Sequence, residues 1–378
     1  MNTSKERLAI FLPGLYDGGA ERTLLNLAEG IAARGFSVDL VLARAEGPYL
    51  AEIPASVRVV DLKAARVLMC LPALIHYLRS ERPTALLATL YANIIAVWAR
   101  RITGIPKRVV LNEQNTLSSV SNGENDLRWK LYPELARWFY PWSDGITAVS
   151  KGVADDLAEV TKVSPSQIQV VYNPIVTPEL LNKSKVPLQH PWFRNGEPPV
   201  ILGVGRLTAQ KAFNVLIEAF AQASRSQPCR LLILGEGEER SMLEALIKRL
   251  ALEGAVELPG FVSNPYAYMV NAALFVLSSK WEGLPTVLVE AMSLGTPVIA
   301  TDCPSGPREI LKNGQYGVLV PMDDPEALAL AIQNVLANHT NCPQEESWKP
   351  YKLDVVTDQY LSMLLGSLPE VEQNPHFH

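Results

Sequence analysis

The chain has 378 residues, 48% hydrophobic and 19% charged, which is the composition of a soluble globular protein with room for two ordinary domains and excludes a disordered chain. A formal net charge of −5, with no basic run interleaved with aromatics, excludes a general nucleic-acid binder. The four cysteines, Cys70, Cys229, Cys303 and Cys342, are scattered, form no C-x-x-C pair and have no local histidine, so they read as free thiols of a reducing compartment and no metal site is expected.

The start MNTSKER is polar and the apolar run at 8–13 is too short for a signal peptide. The apolar stretches 67–78 and 88–99 fall short of the roughly 20 residues of a spanning helix, so a cytoplasmic location is expected. Residues 8–12 read as a buried strand. A glycine turn at 14–19 follows, then a helix over about 20–34 with Leu24, Leu27, Ala28 and Ile31 on one stripe. β-like runs recur at 38–42, 57–60, 85–88, 109–111 and 145–149, with helical patterns between most of them. This alternation predicts a doubly wound parallel sheet. Gly18, Gly19, Ala20, Glu21 and Arg22 open the first helix, where paired glycines permit close backbone approach and the helix start favours an anion. The pattern is not G-x-G-x-x-G and lacks the acidic partner of a dinucleotide fold, which disfavours a nicotinamide enzyme.

Pro174, Pro178, Pro187, Pro191, Pro198 and Pro199 interrupt regular structure, predicting a linker at 176–198 between domains 1–175 and 199–350. Alternation restarts with strands at 200–204, 230–234, 256–258, 273–277, 298–300 and 318–320, and helices near 213–223, 238–252 and 325–337. The amphipathic segment 351–365 has no strand after it and is expected to pack back on the first domain. The tail from 367, with His376 and His378, is expected to be loose. The fold class is therefore α/β, two Rossmann-like doubly wound domains whose strand ends face a shared cleft.

Informative residues should lie on loops leaving strand ends. Arg206 and Lys211, after Gly205, offer a bidentate cation and a point charge for phosphate, although a solvated charge pair reads equally well. Gly235-Glu236-Gly237 is a tight turn that lets a ligand approach the backbone, and the backbone at Phe261 and Val262 can pair with a nucleobase edge. In WEGLPTVLVEAMSLGTP, residues 281–297, Glu282 and Glu290 are separated by seven residues. Pro285 suits the first helical position, leaving the amides of Thr286 and Val287 as anion donors, while the carboxylates accept hydroxyls of a sugar or ribose. Alone, this run also describes any buried helix of an α/β protein.

In combination and in this order, Gly18 to Arg22, Gly205-Arg206-Leu207 with Lys211, Gly235-Glu236-Gly237, Glu282 to Glu290, Ser305-Gly306-Pro307-Arg308-Glu309, Asn313-Gly314 and Gly317 to Pro321 resemble the retaining glycosyltransferases of the GT-B fold, family 4. The resemblance implies a nucleotide sugar, a UDP sugar in the first instance, as donor substrate, with no cofactor. Arg206 and Lys211 would bind its diphosphate, Glu290 its ribose and Glu282 the transferred sugar. Gly283, Leu284, Pro285, Thr286 and Val287 would lend backbone, and Gly18 and Gly19 would approach the reacting centre. There is no D-x-D motif, which fits a metal-independent fold.

Many relatives place a histidine after a first-domain strand, whereas here Asn112, Glu113, Gln114 and Asn115 stand. Glu113 is thus a candidate catalytic residue, with a structural hydrogen bond as the competing reading. Glu21, Arg22, Asn112, Glu113 and Asn115 are expected on the acceptor side. Up to residue 185, 21 Lys and Arg stand against 18 Asp and Glu, and Arg66, Arg79, Arg82, Arg100, Arg101, Lys107 and Arg108 border apolar segments. That mild basicity suits peripheral contact with an anionic membrane, against the simpler reading of solvated helix faces. The motif forms look most like bacterial enzymes that extend a polyprenyl-diphosphate-linked glycan. A nucleotide-sugar epimerase or phosphorylase of the same architecture, and a non-catalytic sugar-nucleotide-binding subunit, are the alternatives.

Overall fold

The computed structural model describes residues 6–16, 18–118, 127–338 and 343–366; Cys342 and the tail histidines lie outside them. The chain divides into two units, residues 1–174 with 353–378, and residues 175–352.

The first unit is built on β1 (Arg7–Leu12), β2 (Ser37–Leu42), β3 (Val57–Asp61), β4 (Ala85–Thr89), β5 (Arg108–Glu113), β6 (Gly145–Ala148) and β7 (Ile168–Val170). They form one parallel sheet in the order β3-β2-β1-β4-β5-β6-β7. Every residue of LAIFL in β1 is fully buried. A parallel sheet covered on both faces needs such an unbroken apolar run, because alternate side chains meet helices on opposite sides. Helices α1 (Gly19–Ala33), α2 (Leu71–Glu81), α3 (Asn93–Thr103), α4 (Leu127–Phe139) and α5 (Lys151–Thr161) connect the strands.

The segment expected to return to this domain does so: the final helix, Leu353–Leu365, belongs to the first unit and sends Val356, Tyr360, Leu361 and Leu364 into the core cluster of Leu8, Ile10, Leu27 and Ile31. Gly30 explains the close approach. A Cβ there would lie 2.3 Å from Thr357 Oγ1, so a residue that weakens α1 by about 1 kcal/mol permits helix-on-helix contact.

The second unit contains β8 (Val200–Val204), β9 (Arg230–Leu234), β10 (Val256–Gly260), β11 (Leu274–Leu277), β12 (Val298–Thr301) and β13 (Val318–Val320), parallel in the order β10-β9-β8-β11-β12-β13. Ile201, Leu231, Ile233, Val276 and Ile299 pack under the helices Phe213–Ala223 and Pro325–Asn338 through Leu216, Phe220, Leu328 and Ile332.

Two local expectations need correction. The stretch 176–198 is not irregular throughout: Pro178 sits in the first turn of a helix, Pro178–Ser184, capped by Thr177 Oγ1 accepting from the Leu180 amide at 3.1 Å, and the segment belongs to the second unit. Proline removes only an orphan donor at that position and therefore starts a helix there. Strand β5 also runs two residues further than the apolar pattern suggests, because Asn112 and Glu113 are paired in the sheet although polar.

Candidate donor and acceptor sites

In each sheet the strand order reverses once, between β1 and β4 and between β8 and β11. Loops leaving the carboxyl ends of strands at such a point diverge and leave room for a ligand. In the second unit those loops are 205–212 and 278–285, which carry the cation and carboxylate motifs.

The two loops are tied by backbone and side chain together. Ser278 Oγ donates to Lys211 O at 2.7 Å, the Lys280 amide to Gln210 O at 2.8 Å, and Gln210 Nε2 to Trp281 O at 2.9 Å. Within that frame Lys211 Nζ lies 2.6 Å from Glu282 Oε1, with both side chains largely buried. Ser279 Oγ donates to the same Oε1 at 2.6 Å. Thr301 Oγ1 holds Ser279 O at 2.5 Å, so β12 fixes the hydroxyl that fixes the carboxylate. Both contacts fall on Oε1, which leaves Oε2 able to accept from a ligand hydroxyl. Arg206 is exposed and has no ion pair among the described residues, so its guanidinium is uncommitted.

The glycines have a more specific use than ligand approach. Gly235 has φ +141°, and a Cβ on it would lie 2.0 Å from Gly205 O; a Cβ on Gly237 would lie 2.3 Å from Leu207 O. The loop after β9 thus packs backbone to backbone on the loop after β8, with Leu207 N donating to Glu236 O at 2.8 Å. Glu236 itself turns to Arg240, which donates to it from Nε and Nη2 at 2.8 and 2.9 Å and also reaches Leu258 O. Phe261 stands 77% exposed just past β10, with Val262 half-buried beside it.

Pro285 is the cap residue of the helix Thr286–Ser293, one position before its expected place. The amides of Thr286 and Val287 still precede the first i→i−4 bond and point from the helix start. Gly283, Leu284 and Pro285 are buried. Ser305 Oγ holds Gly283 O at 3.0 Å, and Gly306, at φ +91°, passes so close that a Cβ would sit 2.5 Å from Pro285 Cδ. The Ser-Gly-Pro motif therefore buttresses the segment that carries Glu282. Glu290 is buried in the same helix. Cys303 lies beside this cluster; burial and then the Glu282 charge push its thiol up to about 12.

In the first unit Glu113 ends β5 and is buried. Tyr140 donates its hydroxyl to Glu113 Oε1, and Asn93 Nδ2 does so at 2.7 Å. Burial pushes this carboxyl up to about 7, against the lowering effect of those two donors. Tyr132 links the Tyr140 hydroxyl, at 3.0 Å, to Leu90 O. Asn112 is wholly internal: it accepts from Thr89 and Gln114 and donates to Thr147 and Tyr360. With both amide hydrogens and both lone pairs used, it has no capacity for a ligand. Gln114, absent from the expected site, pairs with Asn173 at 2.9 Å, while Asn115 is exposed. At the first helix start the Glu21 carboxylate lies against Gly18, and Gly19 is exposed. Arg22 pairs with Glu52 at 3.1 Å and stacks on Tyr49. That helix start therefore already has a negative charge at hand.

Sequence reasoning missed Ser279, Gln210 and Thr301. Ser279 had a readable signal, a hydroxyl three residues before Glu282 at the end of a buried strand. Among the described residues, no group of three His, Cys, Asp or Glu is placed to hold a metal ion, and no helix is long and apolar enough to cross a membrane.

Comparison with known proteins identifies the family and the fold. The pattern of the glycosyl transferases group 1 matches residues 188–353, and that of glycosyltransferase family 4 matches residues 17–178. The chain is 32% identical, over 88% of its length and 90% of the relative's, to the N-acetylgalactosamine-N,N'-diacetylbacillosaminyl-diphospho-undecaprenol 4-alpha-N-acetylgalactosaminyltransferase of Campylobacter jejuni. It is 26% identical to the lipopolysaccharide core biosynthesis glycosyltransferase LpsE of Rhizobium meliloti, over 92% and 96% of the two chains. Among solved structures, Anabaena HepE in complex with UDP superposes with a TM-score of 0.77 at 22% identity, covering 96% of this chain and all of that one. The chain belongs to the GT-B-fold glycosyltransferases of family 4, the glycosyl transferases group 1.

Proposed function

We propose that this enzyme is a retaining glycosyltransferase that moves a hexose or N-acetylhexosamine from a UDP sugar to a polyprenyl-diphosphate-linked glycan in surface polysaccharide or glycoconjugate synthesis. The observation that carries the reading is the Lys211–Glu282 pair at the switch point of the second sheet. The Campylobacter relative, whose name specifies a diphospho-undecaprenol acceptor, and the UDP complex of HepE support the substrate classes.

Breaking the bond between the sugar C1 and the β-phosphate oxygen leaves an oxocarbenium-like sugar and a diphosphate with added negative charge. Arg206, Lys211 and the amides of Thr286 and Val287 neutralise that charge, which lowers the barrier because these groups are already oriented. Glu282 accepts from sugar hydroxyls through Oε2, and Glu290 from the ribose. The acceptor oxygen attacks C1 from the face the diphosphate leaves and passes its proton to a diphosphate oxygen, so no side-chain base is required. Glu113 stays a candidate for orienting the acceptor through its hydrogen-bonded shell. No step in this scheme uses a metal ion, and the site faces a cytoplasmic donor pool.

The test is a melting-temperature screen of nucleotide sugars, since a ligand that binds only the folded protein raises stability with ln(1 + [L]/Kd). It is followed by NMR of the product formed on a polyprenyl diphosphate glycan. A UDP sugar that stabilises the protein and gives a product of unchanged anomeric configuration is expected. An inverted anomer, or stabilisation by a different nucleotide only, contradicts the proposal.

A further inference from the structure

Three tryptophans lie in the second unit. Trp192 and Trp348 each carry a cation over the ring, Arg230 and Lys352, both at 5.0 Å. Trp281 has no aromatic or cationic partner among the described residues and stands 41% exposed beside buried Glu282. The exposed aromatic side chains of this unit, again among the described residues, are Phe261 and Trp281, and both sit on loops leaving the carboxyl ends of strands, β10 and β11. In the sheet these strands are separated by β9 and β8, three strand spacings or about 14 Å. The loops between them carry Gly235-Glu236-Gly237 and the cations Arg206 and Lys211. The row therefore has an aromatic ring at each end with the phosphate-binding groups in the middle.

The backbone under Trp281 is held by the loops after β8, β12 and β13. Gln210 Nε2 donates to Trp281 O at 2.9 Å, and the Lys280 amide donates to Gln210 O at 2.8 Å. Lys280 Nζ reaches Asp323 Oδ1 at 3.0 Å, and the Glu282 amide donates to Pro304 O at 3.4 Å. The indole is thus a large apolar plane on a fixed backbone. Such a ring has few side-chain torsions to order, so a partner laid on it gains contact area at small entropic cost.

We infer that Trp281 is the platform on which the pyranose ring of the acceptor's terminal sugar stacks, and so a determinant of acceptor specificity. This deepens the proposed function at its own site and rests on that reading. A pyranose with mostly equatorial hydroxyls presents a face of axial C–H bonds. That face is apolar and suits the electron-rich face of an indole, while the hydroxyls at the ring edge keep water or polar partners. Position selects the acceptor's ring over the donor's. The Glu282 side chain, 8% exposed and tied to Lys211 and Ser279, is turned inward to the place assigned to the transferred sugar. The acceptor hydroxyl has to come within bonding distance of C1 of that sugar, which puts its own ring one step further out, where the exposed indole stands.

The test is initial-rate kinetics of the full-length protein with a stabilising UDP sugar and a polyprenyl diphosphate carrying an N-acetylhexosamine disaccharide. Wild type is compared with Trp281→Ala, Trp281→Leu and Trp281→Phe, and the melting-temperature rise given by the UDP sugar is measured on each. Because Gln210 bonds the carbonyl of Trp281 and not its side chain, the loop keeps its ties in every variant. The KM for acceptor should rise about tenfold in the alanine and leucine variants and return to within about threefold of wild type with phenylalanine, while the donor-induced rise stays unchanged. Leucine supplies bulk without an aromatic face, so its comparison with phenylalanine decides the matter by itself if the alanine variant misfolds. An unchanged acceptor KM in the alanine variant, or a leucine variant as good as phenylalanine, would overturn the inference. So would a loss of donor-induced stabilisation as large as the loss of acceptor affinity, which would assign the ring to the donor sugar. Absence of transfer by wild type would sink the proposed function, whereas transfer by wild type with any of those outcomes sinks the platform alone.

Discussion

Lys211 Nζ and Glu282 Oε1 lie 2.6 Å apart although 71 residues separate them in sequence, and Ser279 donates to the same carboxylate oxygen. The pair joins the loop after β8 to the loop after β11. Removing one member leaves the other largely buried and uncompensated, which costs about 3–5 kcal/mol. Lys211→Ala should therefore lower the melting temperature and reduce kcat/KM for transfer by about 10²–10³, the scale of losing one charge-stabilising group. Thermal unfolding and initial rates on the same preparation check both effects.

Ser279→Ala should be milder. It deletes one hydrogen bond, about 1 kcal/mol, and leaves Lys211 to hold Glu282. We expect a KM for donor raised by less than about tenfold with kcat nearly unchanged, because the bond positions a carboxylate proposed to bind donor in ground and transition states alike. Steady-state kinetics separate the two constants. A kcat loss as large as that of Lys211→Ala would mean that Ser279 acts on the reacting atoms.

Gly237→Ala places a methyl group 2.3 Å from Leu207 O, a backbone atom that cannot rotate away. The loop carrying Arg206 must shift, at a cost of about 1–3 kcal/mol. UDP affinity by calorimetry should fall with it. Substitution at Gly254, where no atom lies within 4 Å of the added Cβ, is the control and should change neither.

Glu113 supplies a pH dependence of defined sign. Its folded value, pushed up to about 7 by burial, exceeds the ordinary 4.5. The folded protein therefore binds more protons than the unfolded chain between these values. The corresponding stability is full below pH 4.5 and is lost as pH rises towards about 7, a change of about 3 kcal/mol. Glu113→Gln should abolish that slope and unfold at higher denaturant than wild type at pH 8. Chemical denaturation at pH 5 and pH 8 reads it directly.

Asp39 acts in the opposite direction. Burial alone would raise its carboxyl, but hydrogen bonds from Arg58, Tyr77 and Arg7 outweigh this and hold it below the usual range. The stability it contributes is present above the ordinary value of 3.8 and is lost as pH falls through the lowered one. Because Arg7 and Arg58 remain partly solvated, Asp39→Asn should cost about 2–3 kcal/mol, below the full penalty of a broken buried pair. Urea unfolding at pH 7 and pH 3 should show the variant's deficit shrinking at the lower pH.

The fold was largely legible because both sheets are parallel and covered on both faces, which writes each strand as an apolar run such as LAIFL or VILGV. The motifs proposed to hold the donor stand out for a related reason. They sit immediately after such runs, and glycine, proline and arginine there have few structural substitutes. What was not legible depended on contacts between distant segments. The polar end of β5 looked like a loop because Asn112 and Glu113 break the apolar run, yet Thr89, Thr147 and Tyr360 satisfy Asn112 inside the core. Gly235 and Gly237 read as room for a ligand, and the sequence did not show the second reason for them, that a Cβ on either would meet the backbone of Gly205 or Leu207.

In the proposed mechanism Glu282 contacts the transferred sugar while Lys211 and Arg206 contact the diphosphate. Calorimetric titration of wild type and Glu282→Gln with UDP and with the stabilising UDP sugar tests it most directly. Glutamine keeps the shape and removes the charge that holds Lys211, so UDP should bind as well as before or more tightly, while the added affinity for the sugar moiety disappears. An equal loss of UDP and UDP-sugar binding, or no loss of either, would contradict the account.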